Sequence, residues 1–200
     1  FLLGYSVVTA KSGLIAKDVI QNPNFARHTC MGFNYRMSEL CAAAGLGQLE
    51  HMKELVQRRV DSAELFIDAM KGCDWLMPQV TSKEYTNSYW ALGVRLVHPR
   101  IEWAQFRKKF IEFGGDGVYG AWMLTYMEPM MQNMALSGKE DVIKAAYKGK
   151  MQKYALGLCP VAEEVQQQLL ACKANCWDWK RAEKQADELK KTISYCNKAV

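Results

Sequence analysis

The chain has 200 residues, half of them hydrophobic, with six Trp, nine Tyr and seven Phe, which is ample material for one large domain or one and a half small ones. Its net charge is only +5, from 26 basic and 21 acidic residues that intermingle as in Lys180-Arg181-Ala182-Glu183-Lys184, a solvated helix face. That excludes the basic stripe a nucleic-acid partner requires, while a mild positive field suits small phosphorylated ligands.

The opening Phe1-Leu2-Leu3-Gly4-Tyr5-Ser6-Val7-Val8 has no basic start and no small-residue cleavage site. It reads as a strand already under way rather than a signal peptide, as if residues preceded it. No apolar run is long enough for a transmembrane helix, so no membrane partner is expected. A turn around Lys11-Ser12-Gly13, a brief helix or loop through Lys17-Asp18-Val19-Ile20 and a turn at Asn22-Pro23-Asn24 follow.

The most informative stretch is Met31-Gly32-Phe33-Asn34-Tyr35-Arg36-Met37-Ser38-Glu39-Leu40, running into Ala42-Ala43-Ala44-Gly45-Leu46-Gly47-Gln48-Leu49-Glu50. A polar Asn-Tyr-Arg triplet on a short loop precedes a helix, with Ser38 as N-cap and Glu39 in the first turn. Such a loop offers an amide and a bidentate guanidinium to an anion from a rigid base. The purely structural alternative is that Arg36 pairs with Glu39 and Asn34 shapes the turn. Apolar residues at Ala42, Leu46, Leu49, Met52, Val56, Val60, Ala63, Ile67 and Met70 predict one stripe on one helix ending at Gly72. Such a helix would be about 50 Å long.

Beyond a domain change near 72–86 the texture shifts. Trp90, Leu92, Val94 and Leu96 predict one face of a strand. Pro99 suits the first turn of a helix whose buried stripe is Trp103, Phe106, Phe110 and Phe113, closed by Gly114-Gly115. Asp116-Gly117-Val118-Tyr119 starts another strand, and 120–150 reads as irregular and Met-rich. Helices near 160–172 and 178–197 close the chain, the second anchored by Trp177 and Trp179. Strand, helix, strand predicts a small α+β layer, giving a mixed α/β chain with residues 1–72 and 73–200 as two parts.

Seven scattered cysteines form no Cys-x-x-Cys pair and suggest free thiols in a reducing, cytoplasmic setting. His28, His51 and His98 show no ligand spacing, so no metal site is predicted.

Gly32-Phe33-Asn34-Tyr35-Arg36-Met37-Ser38-Glu39-Leu40 with the small-residue helix behind it resembles the DegT/DnrJ/EryC1/StrS family of pyridoxal-phosphate-dependent aminotransferases, which act mainly on nucleotide-linked keto sugars. Gly157-Leu158-Cys159-Pro160-Val161-Ala162-Glu163-Glu164-Val165 resembles its Cys-Pro-x-Ala-Glu segment, and Tyr126-Met127-Glu128-Pro129 loosely echoes its Tyr-x-Pro substrate loop. The resemblance implies the C-terminal part of a fold type I (aspartate-aminotransferase-like) enzyme, working as a homodimer with shared active sites. It implies Asn34 and Arg36 on the pyridoxal 5′-phosphate or substrate, Tyr35 and Tyr126 toward the substrate, and amino transfer from glutamate to a nucleotide-linked keto sugar.

One departure bears on activity. The family's Schiff-base lysine lies in a Ser-x-x-Lys setting before the Asn-Tyr-Arg loop, whereas Lys11 and Lys17 are the only lysines upstream of Asn34 and neither has that context. The lysine is therefore expected upstream of Phe1, no catalytic residue is assigned in this chain, and the chain alone is not expected to transaminate. Two alternatives stand beside this reading. One is a relative of the same fold that dehydrates sugars with histidine in place of lysine; the other is a stand-alone α+β interaction module, which a fully polar surface would favour and an exposed apolar patch would disfavour.

Overall fold

The computed structural model describes residues 23–28, 37–116, 118–132, 153–176 and 178–198. The Asn34-Tyr35-Arg36 triplet, Trp177, the predicted elements before residue 22 and most of the Met-rich stretch lie outside the described residues. In chain order the elements are α1 (Glu39–Leu49), α2 (Met52–Ala69), β1 (Leu76–Pro78), β2 (Leu92–Leu96), α3 (Trp103–Glu112), β3 (Val118–Gly120), a 3-10 turn (Thr125–Met127), α4 (Pro129–Gln132), α5 (Pro160–Gln166), β4 (Leu169–Cys172) and α6 (Trp179–Lys198). They form two compact units, residues 1–39 with 121–167 and residues 40–120 with 168–200. This grouping by packing is distinct from the expected division at 72/73, which concerns the domains of the longer family fold.

The second unit holds the sheet, in the order β1-β2-β4-β3 with every pairing antiparallel. Its register sets Leu92 opposite Cys172, Val94 opposite Leu170 and Val118 opposite Cys172. Directly opposed residues share a face, so these apolar side chains form one buried surface. Phe106 and Phe110 of α3, Ala63 and Phe66 of α2, and Leu189 of α6 complete the core. Each fully buried Val, Leu or Phe side chain here contributes on the order of 1.5–3 kcal/mol. Trp75 closes one side, its Nε1 donating to Asn197 Oδ1 at 2.8 Å and its ring edge-on to His98 and Phe106.

The helix predicted as one rod is two. It starts at Glu39, directly after the Ser38 cap position, but breaks at Glu50-His51. There His51 has φ −101° and ψ 3°, and its N–H donates to Gln48 O in a tight three-residue turn. The stripe also divides. α2 buries Ser62, Ala63, Phe66 and Ala69 and ends before Gly72 at φ +80°, as predicted, whereas α1 buries no residue. Leu46, Leu49 and Met52, placed on the stripe, are at least half exposed.

Further boundaries differ from expectation. Trp90 does not share the β2 face: it is 80% exposed, because Tyr89 before it turns to φ +44° and the strand begins only at Leu92. Pro99 precedes α3 rather than opening it. His98 Nδ1 accepts the N–H groups of Arg100 and Ile101, Gln105 Oε1 accepts from Glu102 N, and the helix begins at Trp103. Only Phe106 and Phe110 of its predicted stripe are fully buried. The helix predicted over 160–172 stops at Gln166, and Leu169–Cys172 is a strand between β2 and β3. Trp179 is no buried anchor, being about half exposed with Nε1 donating to Glu183.

Candidate functional site

In the first unit, three segments far apart in sequence are joined by polar side chains. Glu128, at the end of the 3-10 turn, carries a buried carboxylate. Its Oε2 accepts the backbone N–H groups of Arg27 at 2.8 Å and His28 at 2.9 Å, and its Oε1 lies 3.1 Å from His28 Nδ1. Met130 N returns a bond to His28 O at 2.8 Å. A buried carboxylate is costly without such donors, and this one is met by a single dipeptide.

The dipeptide is also held from its other side. The Arg27 guanidinium is almost fully buried, donates to Phe25 O at 2.9 Å and lies 5.5 and 5.3 Å from the ring centres of Phe25 and Trp122. Such cation–π contacts strengthen with desolvation. Gln166 Nε2, on α5, donates to Pro23 O and Trp122 O at 3.0 and 2.7 Å. Sequence reasoning missed Glu128 and Gln166 as organising residues. No periodicity marks a lone polar side chain whose partners are from 44 to 143 residues away.

Tyr126, predicted to face substrate, donates its hydroxyl to Glu163 Oε1 at 2.5 Å. Glu163 also accepts the N–H groups of Gly157 and, at longer range, Cys159. Burial and then the adjacent Glu163 carboxylate push the Tyr126 phenol up to about 12. In return, the Tyr126 hydroxyl and then the Gly157 N–H hold the Glu163 carboxyl below the ordinary carboxylate range. The hydroxyl is thus engaged by its own chain, and Glu163 of the Cys-Pro-x-Ala-Glu segment closes the Gly157–Cys159 turn. Asn34, Tyr35 and Arg36 lie outside the described residues, eight residues or fewer beyond His28 in sequence.

Pyridoxal phosphate needs a lysine amine and a cradle for its phosphate. None of the lysines among the described residues is buried, so the described residues do not by themselves fit the group. Any fit rests on Asn34 and Arg36 together with a lysine elsewhere. Among the described residues no group of three or more His, Cys, Asp or Glu is placed to hold a metal, and no helix is long and apolar enough to cross a membrane.

GDP-perosamine synthase from Vibrio cholerae is 33% identical over 72 residues, and the same enzyme from Escherichia coli O157:H7 is 30% identical over 67. Each match covers 34% of this chain, and the chain spans 18% of the length of these curated relatives. The solved structure of S. venezuelae DesV with a ketimine intermediate superposes with a TM-score of 0.58 at 20% identity, over 81% of this chain and 38% of DesV. That likeness shows the fold, the mixed helix and sheet of the fold type I sugar aminotransferases. The profile of the DegT/DnrJ/EryC1/StrS aminotransferase family, a family of enzymes, matches residues 14–167. The match runs through the Asn34–Arg36 triplet, Glu128 and Glu163, and the chain therefore belongs to the DegT/DnrJ/EryC1/StrS aminotransferase family.

Proposed function

We propose that the protein containing this chain is a pyridoxal-phosphate-dependent aminotransferase that moves an amino group from glutamate to a nucleotide-linked keto sugar. The family match over residues 14–167 carries the reading, and the perosamine-synthase relatives support a sugar nucleotide as acceptor class. Pyridoxal phosphate, when bound, supplies the electron sink for the transfer. In this proposal Asn34 and Arg36 bind the cofactor phosphate or the substrate's anionic group, and Tyr35 faces the sugar. Tyr126 reaches substrate only by giving up Glu163. The Schiff-base lysine is contributed from outside the 200 residues, and residues 1–72 complete the cofactor domain while 73–200 form the smaller one. A cytoplasmic homodimer with shared active sites accompanies the reading.

The stand-alone interaction module is disfavoured by α1. Leu40, Leu46 and Leu49 are exposed on a helix whose only charged residue is Glu39, and a helix apolar on all sides belongs in a protein interior. The dehydratase alternative keeps the fold and is separated by product. The full-length protein, given pyridoxal phosphate, glutamate and a nucleotide-linked keto sugar, is expected to yield an amino sugar and 2-oxoglutarate in equal amounts. A deoxygenated sugar without amino transfer would replace the proposal by the dehydratase, and no turnover of any such sugar would end it.

A further inference from the structure

The chain just past β4, the first turns of α6 and the turn after α3 border a cavity of about 280 Å³ in the second unit. Its wall carries two cations, Lys173 and Arg181, and two carboxylates, Asp116 and Asp178, and so has no net charge. We propose that this cavity is a binding site for a free α-amino acid with an uncharged polar side chain. The ligand's carboxylate is met by Lys173 and Arg181, and its ammonium by Asp178 and Asp116. The inference goes beyond the amino-transfer reading and uses none of its residues.

Spacings of three and four residues put Asp178, Arg181 and Gln185 on one face at the start of α6. Asp178 Oδ1 accepts the Lys180 N–H at 3.1 Å, which fixes that carboxylate at the helix start. The Gln185 side chain is almost fully buried and ties the turn after α3 to α6. Its Oε1 accepts Asp116 N at 2.5 Å, and its Nε2 donates to Gly114 O at 3.3 Å. Arg181 Nη2 donates to Asp116 Oδ2 at 2.8 Å, in an exposed pair that costs little to open. Lys173 lies 5.0 Å from the Tyr119 ring centre and makes no ion pair among the described residues, and the Asn175 amide makes no hydrogen bond among them. The Cys176 thiol registers all four charges. Burial pushes it up first; Arg181 and Lys173 pull it down, while Asp116 and Asp178 push it up.

Both signs of charge therefore surround one point. A phosphate or dicarboxylate brought here meets two carboxylates, and a polyamine meets two cations, so a ligand of single sign is repelled as well as attracted. A zwitterion satisfies both pairs. A charged side chain would unbalance the wall, whereas the Asn175 amide is open to an uncharged polar one. The volume lies below the range of about 300–1,000 Å³ that holds drug-sized ligands, and suits a smaller molecule.

Cys176 makes the test local. The full-length protein containing this chain is treated with iodoacetamide, and alkylation of Cys176 is timed by peptide mass spectrometry, with N-acetylcysteine in the same tube as reference. L-Glutamine, acetate and methylammonium are each added separately at about 10 mM. With Kd of about 2 mM, L-glutamine is expected to slow Cys176 about fivefold relative to the reference. Acetate and methylammonium, each carrying one charge, are expected to leave its rate essentially unchanged. Neither Lys173 nor Asp178 is buried, and Asp178→Asn keeps an acceptor for the Lys180 N–H. Lys173→Gln and Asp178→Asn are each expected to raise the glutamine concentration needed for protection about tenfold, as for loss of a charged hydrogen bond. No slowing by L-glutamine overturns the inference. So do equal slowing by acetate or methylammonium, parental protection in both variants, and a Cys176 that the folded full-length protein keeps closed to the reagent.

Discussion

The C-terminus of α3 offers a prediction whose size follows from geometry. Gly114 N donates to Ile111 O and Gly115 N to Phe110 O, the paired bonds of a Schellman ending, with Gly114 at φ +95°. A Cβ added to Gly115 would lie 2.5 Å from Cδ1, Cε1 and Cζ of Phe110. Carbon atoms in contact need about 3.5–4.0 Å, so the ring or the backbone must move by about 1 Å or more. Phe110 is fully buried in a close-packed core, and the ring has no free space to enter. Overpacking of this kind costs about 1–3 kcal/mol, against about 0.4–1 kcal/mol regained from the stiffer unfolded chain. Gly115→Ala should therefore destabilise by about 1–2 kcal/mol, read as a lower urea midpoint at unchanged slope. In a Phe110→Leu background, which removes the ring, the penalty should largely vanish, a coupling that distant sites do not show. Additive effects in the double variant, or a Gly115→Ala protein as stable as the parent, would refute the packing described here.

Other expectations concern exposed and titrating groups. Tyr126 should ionise near 12 in tyrosinate difference absorbance, and Glu163→Gln should lower this only in part, since burial, the larger cause, remains. The sign follows: the raised phenol adds stability that is complete below about 10 and lost as pH climbs to about 12, while the lowered Glu163 carboxyl adds stability above about 4.3 that is lost as pH falls through its folded value. Cys41 and Cys159 are exposed and should react with a thiol reagent in the native state. Cys172, fully buried with its thiol pushed up to about 12 by desolvation, should react only on unfolding. Leu46→Gln on exposed α1 should shift the stability of the 200-residue chain by less than about 0.5 kcal/mol, and a larger loss would mean that α1 is packed.

Where the fold was legible, a local signal carried it. Ser38-Glu39 marked the start of α1, Gly72 and Gly114-Gly115 marked two helix ends, and Leu92, Val94 and Leu96 showed the period of a one-sided strand. The failures are places where tertiary structure overrides local preference. Leu169-Leu170-Ala171-Cys172 favours helix by propensity and becomes a strand because it is hydrogen-bonded on both sides, by β2 and by β3. The break at Glu50-His51 has no Gly or Pro to announce it, and the apolar stripe runs through it unbroken. Of the candidate site, the Cys159–Glu163 segment was readable because its motif is contiguous, while the Asn34–Arg36 triplet stays an expectation outside the described residues. Glu128 was not readable, since its meaning comes from a dipeptide 100 residues away.

In the proposed function Asn34 and Arg36 deliver an amide and a guanidinium to a phosphate. Titration of pyridoxal 5′-phosphate into the full-length protein and its Arg36→Ala variant tests it most directly. Loss of a charged hydrogen bond predicts binding weaker by about 1–3 kcal/mol in the variant, with the fold intact by circular dichroism. Equal affinity in the two proteins, for cofactor and for nucleotide-linked sugar alike, would contradict it.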